Sequence, residues 1–286
     1  LDRDFVLKID RLDGIAFLTV GADPFEPGKY VALTSFSPNA PKHGSASAAK
    51  NPLNLKILVD CSGSMDGDSI SAARKALHEV LKELDEQDRI SFSRFGSTVE
   101  HDLPGLVPCK AGNIKKVAKL IAQTEADLGG TEMESALSST FALAQTVSSD
   151  VLLVTDGEIS AIDRTIESAK ASGHRVFVVG IGSSPAEAHL RRLAEATGGA
   201  CDFVAPGEAV EPAVLRMFAR LRSPRLSDLS LAWPEGVTPE WVSPLLPSVF
   251  DGGTVNVFAW LRQVPTGELR LLGQRSGDEA PQEIGR

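Results

Sequence analysis

Between residues 55 and 221, short apolar runs alternate with amphipathic stretches of helical length. Residues 55–60, 151–154 and 175–180 are apolar along most of their length, as in strands buried on both faces of a parallel sheet. Residues 68–84 and 162–171 repeat apolar side chains three and four positions apart, which predicts helices with one buried stripe. The alternation therefore predicts an α/β fold in which helices cover both faces of a mostly parallel central sheet.

The rest of this region continues the pattern. Strands are predicted at residues 89–95 and 201–204, with an edge strand within residues 97–107. Thr131 is predicted to open a helix as a hydroxyl N-cap, and Glu134, three positions later, completes a capping box. Helices are predicted at residues 113–126, 131–147, 185–197 and 208–221.

Three polar segments stand where strands end or helices begin, at residues 60–64, 129–131 and 155–157. Right-handed crossovers bring all strand-to-helix loops to one edge of a parallel sheet. In open α/β sheets this carboxyl edge binds ligands, at the point where the strand order reverses. We therefore expect the three segments to converge on one site.

These segments supply two carboxylates and three hydroxyls, from Asp60, Ser62, Ser64, Thr131 and Asp156. Each residue alone is also an ordinary N-cap or turn residue, so the prediction depends on their joint placement. A six-coordinate shell made of these five side chains and water has few charges and several neutral oxygens. Such a shell favours Mg²⁺, with Mn²⁺ or Ca²⁺ as alternatives. Only two negative charges face the ion, so a carboxylate from a partner can replace a water.

Other site patterns fail. Residues 60–71 do not form an EF-hand loop, because Met65 stands where glycine is needed and Ser71 where the bidentate glutamate belongs. The sequence has no phosphate-binding loop, no dinucleotide fingerprint and no nucleophile elbow. The three cysteines form no C-x-x-C pair and are expected to be buried thiols. The five histidines are expected at the surface, and Asp66, Asp68 and Glu158 are expected to be rim charges or helix N-terminal acids.

The two ends of the chain are β-rich, with glycine and proline turns and no helical pattern. We predict an N-terminal β segment with a linker at residues 1–51, the α/β domain at 52–222 and a C-terminal β segment at 223–286. We favour a β-sandwich into which the α/β domain is inserted. The alternative is two separate β pieces, each with too little core.

Charge and composition limit the partners. A net charge of −9 argues against general binding to nucleic acid or to anionic lipid, since no basic surplus exists. No apolar run reaches the roughly 20 residues of a membrane helix. The sequence begins Leu1-Asp2 without an initiator methionine or a signal-peptide pattern, so we expect a fragment of a longer protein.

The three polar segments resemble those of the von Willebrand factor type A (VWA) family with a complete metal-ion-dependent adhesion site. The resemblance covers about residues 52–222 and includes 60–65, 130–133 and 154–158. It implies a Rossmann-like domain that binds metal directly through Ser62, Ser64 and Thr131. Asp60 and Asp156 would bind directly or through water. It also implies metal-dependent binding of a protein or an acidic extracellular ligand, without catalysis.

Residues 3–7 resemble the segment between the VIT domain and the A domain of inter-alpha-trypsin-inhibitor heavy-chain-like proteins, including bacterial relatives. This resemblance favours a cell-envelope or secreted location. Two other functions stay open. One is a Mg²⁺-dependent hydrolase or phosphotransfer enzyme, although phosphoaspartyl enzymes carry a second aspartate where Ser62 stands. The other is a structural assembly module with a vestigial metal site.

Overall fold

A computed structural model describes residues 16–37, 52–144, 149–157, 161–182, 186–223, 225–245, 248–250, 253–275 and 280–286. The chain divides into two compact units. One is Ser47–Ser223, and the other combines Leu1–Ala46 with Pro224–Arg286. Within the predicted N-terminal β segment and linker, residues 1–15 and 38–51 lie outside the described residues, and so does Glu158.

The elements are numbered along the chain. The strands are β1 Phe17–Ala22, β2 Tyr30–Phe36, β3 Asn54–Asp60, β4 Arg89–Phe95, β5 Val99–Pro108, β6 Asp150–Thr155, β7 Val176–Ile181, β8 Cys201–Val204, β9 Arg225–Ala232, β10 Trp241–Val242, β11 Ser248–Phe250, β12 Val255–Leu261, β13 Arg270–Arg275 and β14 Gln282–Gly285. The helices are α1 Asp68–Glu83, α2 Ala111–Ala122, α3 Met133–Phe141, α4 Ile162–Ser172, α5 Glu187–Ala196 and α6 Glu211–Arg222.

Six strands form the central sheet of the α/β unit, in the order β5-β4-β3-β6-β7-β8. Five are parallel, and β5 is the antiparallel edge strand. The apolar side chains of α3, α4 and α5 share one core cluster with the sheet. The other helices form a second group, in which α1 packs against α2 and α6. These layers confirm the predicted Rossmann-like α/β class.

The strand order reverses beside β3. The chain goes from β3 through α1 to β4 on one side, and later enters β6 on the other side of β3. The loops that follow β3 and β6 therefore diverge from adjacent strand ends and leave a crevice between them. Asp60 is the last residue of β3, and Asp156 directly follows β6. The topology thus brings the two predicted carboxylates to the switch point.

Several helix boundaries differ from the prediction: α2 ends at Ala122 rather than at 126, α3 ends at Phe141 rather than at 147, and α6 begins at Glu211 rather than at 208. The predicted start of α3 is also wrong. Helix α3 begins at Met133, its N-cap is Glu132, and no side chain caps it, so Thr131 is not an N-cap and no capping box forms. The backbone N–H of Glu132 instead donates to the carbonyl of Gly96 in the loop after β4. This bond ties the chain to the neighbouring loop and keeps Thr131 out of the helix.

The β unit contains two antiparallel four-stranded sheets, in the orders β1-β2-β12-β10 and β11-β9-β13-β14. Both contribute to one apolar core, which includes Phe36 of β2 and Leu271 of β13. Strand β12 alternates between buried and exposed residues, as a strand with one solvated face should. The sequence analysis predicts none of the short strands β10, β11 and β14, which have two to four residues each.

Candidate metal centre

The loop after β3 is fixed by its backbone. The N–H of Cys61 donates to the carbonyl of Phe95, and the carbonyl of Cys61 accepts from the N–H of Leu128. Two residues on, the N–H of Gly63 donates to the carbonyl of Gly129 over 2.7 Å. Residues 61–63 are therefore joined both to the end of β4 and to the loop that carries Thr131. Two of the three predicted segments are held together before any metal is considered.

Side-chain hydrogen bonds join four of the five predicted ligands. The N–H of Ser62 donates to Oδ1 of Asp60 over 2.9 Å. The hydroxyl oxygens of Ser62 and Ser64 lie 3.1 Å apart. The hydroxyl of Ser64 donates to Oδ1 of Asp156 over 2.9 Å. The structure thus brings residues from the ends of β3 and β6 into one polar chain.

The spacing of these oxygens fits a small octahedral ion. With metal–oxygen bonds of about 2.1 Å, neighbouring oxygens of a Mg²⁺ shell lie about 3.0 Å apart. The separations of 3.1 Å from Ser62 to Ser64 and 2.9 Å from Ser64 to Asp156 are those of hydrogen bonds and are close to that edge length, so these oxygens can surround such an ion with little movement. The described residues contain no group of three or more His, Cys, Asp and Glu that could hold a metal. The donors here are mainly hydroxyls, which suits Mg²⁺ better than zinc.

Thr131 approaches the same point from the second loop. A Cβ atom placed on Gly157 would lie 3.0 Å from Oδ2 of Asp60 and 3.1 Å from Cγ2 of Thr131. The loop is fixed by a hydrogen bond from the N–H of Gly130 to the hydroxyl of Ser97, over 2.8 Å. The Thr131 hydroxyl forms no hydrogen bond with the residues that the structure describes, so it is available as a ligand.

Sequence reasoning missed Thr155, which orients Asp60. The buried Thr155 hydroxyl donates to Oδ2 of Asp60 over 2.5 Å and accepts from the N–H of Gly157 over 2.9 Å. Together with the N–H of Ser62, it fixes both oxygens of the Asp60 carboxylate. The only signal in the sequence is a hydroxyl directly before Asp156, within the polar segment 155–157.

The electrostatic setting of both carboxylates favours a cation. Burial raises the pKa of Asp60, and the charge of Asp156 adds to the rise, although hydrogen bonds from Ser62 and Thr155 oppose it. Burial also raises the pKa of Asp156, against the hydrogen bond from Ser64. Two nearby carboxylates that are costly to ionise gain stability when a cation compensates their charge.

The cysteines take no part in this chemistry. Cys61, Cys109 and Cys201 are free and buried, as predicted. Burial raises the pKa of the Cys61 thiol to about 12, so it stays protonated at neutral pH. Cys61 therefore contributes its backbone to the loop rather than a sulfur ligand.

Two histidines differ from the surface role expected for them. His101 on β5 contacts the hydroxyls of Ser93 and Ser139, each over 2.8 Å, and so joins two strands to α3. His174 Nε2 lies 2.8 Å from Nζ of Lys56, a fully buried lysine in β3. Both rings are half-buried, and their hydrogen-bond partners among the described residues do not include any of the five predicted ligands.

No described helix is long and apolar enough to cross a membrane.

A family model described as von Willebrand factor type A domain matches residues 53–203, just over half of the 286-residue chain. Von Willebrand factor A domain-containing protein 5A of Rattus norvegicus is 28% identical over 259 residues, which cover 85% of this chain and 31% of that protein. The Homo sapiens protein of the same name is 27% identical over 271 residues, which cover 88% of this chain and 34% of that protein. The chain thus spans about a third of the length of these relatives.

Solved structures show the same fold. A von Willebrand factor type A structure from Catenulispora acidiphila superposes with a TM-score of 0.61 at 18% identity, covering 95% of this chain and 72% of that chain. The human COPII-coat protein Sec24c superposes with a TM-score of 0.51 at 12% identity, and the match covers 78% of this chain and 42% of that chain. At such identities the likeness is one of fold alone.

Proposed function

This chain belongs to the von Willebrand factor type A domain family, and we propose that it binds a partner protein through a metal ion held by Asp60, Ser62, Ser64, Thr131 and Asp156. Domains of this family are typically protein-interaction and adhesion modules. The metal dependence and the mode of capture are the proposed part.

The chain of oxygens at the strand ends carries this proposal. Ser62, Ser64 and Asp156 have the edge spacing of an octahedral shell, and Thr155 holds Asp60 in a fixed orientation. A bound Mg²⁺ ion would supply a Lewis-acidic centre with a coordination position open to a carboxylate. The side chains of this chain orient the site, keep its charge low and leave one face accessible, since Ser64 is exposed.

We propose Mg²⁺ as the resident ion. Three hydroxyls and two carboxylates are hard donors that suit the six-coordinate shell of Mg²⁺, in which water usually fills the remaining positions, whereas Ca²⁺ takes six to eight oxygens and favours carboxylates and carbonyls. Mn²⁺ accepts the same oxygen donors and is the natural substitute in an experiment. Mg²⁺ and Mn²⁺ should therefore both stabilise the protein, and Ca²⁺ should do so less.

We propose that the site does not catalyse a reaction. A phosphoaspartyl mechanism needs an accessible carboxylate, but Asp60 is fully buried and both its oxygens accept hydrogen bonds. The segments 60–64, 129–131 and 155–157 contain no lysine or histidine to act as a base. A screen for Mg²⁺-dependent phosphatase and nucleotidase activity tests this point, and turnover abolished by Asp60→Asn would refute it.

We also propose that the chain comes from a longer protein in which a VIT-type domain precedes the metal-binding domain. The support is its coverage of about a third of its relatives, together with the resemblance at residues 3–7. The Rattus norvegicus and Homo sapiens relatives are eukaryotic, whereas bacterial origin and an inter-alpha-trypsin-inhibitor heavy-chain-like identity remain predictions. Sequencing the surrounding reading frame would decide all three points.

Thermal unfolding with and without Mg²⁺ tests the metal site. Free Mg²⁺ at about 100 times its Kd should stabilise the folded protein by roughly 2.7 kcal/mol, because only the folded state binds it. Asp60→Asn and Asp156→Asn should abolish this shift, whereas Glu86→Gln, an exposed acid before β4, should keep it. An equal Mg²⁺ shift in all four proteins would refute the proposal.

A further inference from the structure

Strand β3 carries a lysine into the core of the α/β unit. Lys56 is fully buried. It is two positions before Leu58, which belongs to the core cluster shared with α3, α4 and α5, so its side chain lies on the sheet face that these helices cover. Burial lowers its pKa to about 8, and the ammonium group is therefore still mainly protonated at pH 7. The core of this domain thus contains a positive charge at neutral pH.

Lys56 forms no ion pair with a carboxylate among the residues that the structure describes. Its pKa is shifted by burial, without a contribution from an acid. Asp150, at the start of the adjacent strand β6, is bound by Arg175 instead, through two hydrogen bonds of 2.7 and 2.5 Å. Burying an ion without an opposite charge costs free energy, so a counter-ion beside Lys56 would stabilise the fold.

Two of the three ammonium protons have partners. Nζ of Lys56 donates to the carbonyl of Phe141 over 3.2 Å and lies 2.8 Å from Nε2 of His174. Nδ1 of His174 lies 3.1 Å from the carbonyl of Ser172, so we assign the ring proton to Nδ1, and Nε2 accepts from Lys56. Burial and the charge of Lys56 lower the pKa of His174, which keeps the ring neutral at pH 7. The third ammonium proton has no acceptor in the described part of the chain.

Three buried hydroxyls also lack a partner. Of the buried side-chain polar atoms in the described ranges, the ones without a hydrogen bond belong to Ser91, Thr140 and Ser149. Each of these three side chains is more than nine-tenths buried. Nearly all buried polar groups in proteins are hydrogen-bonded, so unpaired hydroxyls in one region indicate a bound water or ion.

Two of these hydroxyls belong to neighbours of Lys56. Ser91 on β4 pairs with Lys56 across the parallel strands, so the two side chains lie next to each other on the same face. Thr140 directly precedes Phe141, whose carbonyl accepts from Nζ of Lys56. It belongs to the buried stripe of α3, together with Ala136. Both hydroxyls therefore lie between α3 and the sheet, beside the lysine.

The third hydroxyl lies along the path of the lysine side chain. Strand β6 separates β3 from β7 in the sheet. Lys56 on β3 reaches His174, two positions before β7, so its side chain crosses the beginning of β6. Ser149 stands at that point, directly before β6 and two positions before Val151, which pairs with Lys56. Lys56, Ser91, Thr140 and Ser149 therefore form one polar group in the core, which we call the Lys56 cluster.

We propose that the Lys56 cluster binds a small monovalent anion, of the size and charge of chloride. The ammonium group supplies the opposite charge, and the three hydroxyls supply hydrogen-bond donors around the ion. A water molecule would satisfy the hydroxyls but would leave the charge of Lys56 uncompensated. Phosphate or sulfate would bring a second negative charge into the core without a cation to balance it. This site lies towards the opposite end of β3 from Asp60, and the inference does not depend on metal binding.

Thermal unfolding in matched salts tests the proposal. Unfolding is measured at pH 7 in the presence of EDTA, so that no divalent metal contributes, while chloride is replaced stepwise by gluconate at constant ionic strength. Gluconate is too large to be enclosed by this cluster. Chloride at several times its Kd should raise the Tm of the wild type by about 2–4 °C relative to gluconate, because only the folded state binds the ion.

Variants of the cluster separate this site from general salt effects. Lys56→Met should remove the rise in Tm that chloride causes, because it removes the charge and keeps the length of the side chain. Thr140→Val should weaken chloride binding about tenfold, because one donor to the ion is lost. Lys75→Met, at an exposed position of α1, is the matched control and should show the wild-type rise. Comparison between variants cancels the effects that these salts have on any protein.

Bromide locates the ion directly. Crystals in sodium bromide should give an anomalous peak within hydrogen-bond distance of Nζ of Lys56. Density for water alone at this point, or bromide at surface positions only, would overturn the inference. So would an equal chloride effect on the wild type and on Lys56→Met. A protein that binds chloride in this way but shows no Mg²⁺ effect would refute the metal site and leave the anion site intact.

Discussion

The hydroxyl of Thr155 donates a 2.5 Å hydrogen bond to Oδ2 of Asp60 and so joins the carboxyl ends of two adjacent parallel strands. Asp60 is fully buried, and its other oxygen accepts from the N–H of Ser62. Both oxygens of the carboxylate are therefore aimed by the protein. Groups that orient metal ligands in this way are needed for affinity as well as the ligands themselves.

Thr155→Val should lower the affinity for Mg²⁺ by about 10- to 100-fold, the usual cost of losing an orienting partner of a metal ligand. The substitution keeps the shape of the side chain but removes the donor to Asp60. Thr155→Ser should retain most of the affinity, because it keeps the hydroxyl. Calorimetric Mg²⁺ titration measures the affinity of each variant. Equal Mg²⁺ affinities of Thr155→Val and Thr155→Ser would show that the hydrogen bond to Asp60 does not contribute to metal binding.

Gly157→Ala should weaken Mg²⁺ binding and destabilise the fold by about 1–3 kcal/mol, the usual cost of overpacking. Its new methyl group would lie 3.0 Å from Oδ2 of Asp60 and 3.1 Å from Cγ2 of Thr131, so at least one of them must move. Urea denaturation and Mg²⁺ titration give the two quantities.

Gly112→Ala is the matched control for this test. Gly112 lies in α2, and a Cβ atom there meets nothing within 4 Å. Alanine should stabilise that helix by about 0.5–1 kcal/mol without changing Mg²⁺ binding. If both alanine variants behaved alike, close packing at Gly157 would not be the cause of its effect.

Lys56→Met should leave the domain equally stable or more stable at pH 7. Nζ of Lys56 donates to the carbonyl of Phe141 over 3.2 Å and approaches Nε2 of His174, and burial lowers its pKa to about 8. A buried charge replaced by an apolar side chain of similar length commonly stabilises a protein. Guanidinium denaturation of both proteins gives the comparison.

The pH dependence of Lys56 has a defined sign. Its pKa is about 8 in the folded protein and about 10.4 in an unfolded chain, so the unfolded state binds more protons between these values. The free energy of unfolding of the wild type should therefore rise, relative to that of Lys56→Met, from about pH 8 to 10.4. A constant difference across this range would mean that Lys56 titrates normally.

Arg222→Ala should destabilise the α/β unit by about 3–5 kcal/mol, because it leaves the buried Asp88 carboxylate without its cation. Arg222, at the end of α6, forms a short ion pair with Asp88, which also accepts from the N–H of Leu53 and of Asp85. Thermal or urea unfolding measures the loss. Arg216→Ala is the control, since it removes the more exposed ion pair with Asp202.

The ion pair between Arg222 and Asp88 also makes the stability of the folded protein depend on pH in the acid range. Burial alone would raise the pKa of Asp88, but hydrogen bonds from Arg222 and from two backbone N–H groups outweigh it and lower the pKa. The folded pKa is thus below the unfolded value of about 3.9, so the stabilisation is complete above that value and is lost as pH falls through the folded pKa. Asp88→Asn should therefore reduce the fall in the free energy of unfolding as the pH is lowered below about 3.9, measured by urea denaturation at a series of acid pH values.

The sequence alone determined the fold class and the residue types of the site. Strand burial and helix amphipathicity are local periodicities, and they located β3, β4 and α1 to within a residue. The apolar runs placed Asp60 and Asp156 at strand ends, and the crossover connections of a parallel sheet brought both to one edge. These features need no knowledge of which side chains touch.

Contacts between segments distant in sequence were decided by the tertiary structure. The role of Thr155 depends on its alignment with Asp60 across two strands, and the start of α3 at Met133 depends on a hydrogen bond from Glu132 to Gly96. Lys56 lies in an apolar run that predicts only a buried strand, and its partner His174 is 118 positions away. Such pairings arise from packing between elements, which no local pattern encodes.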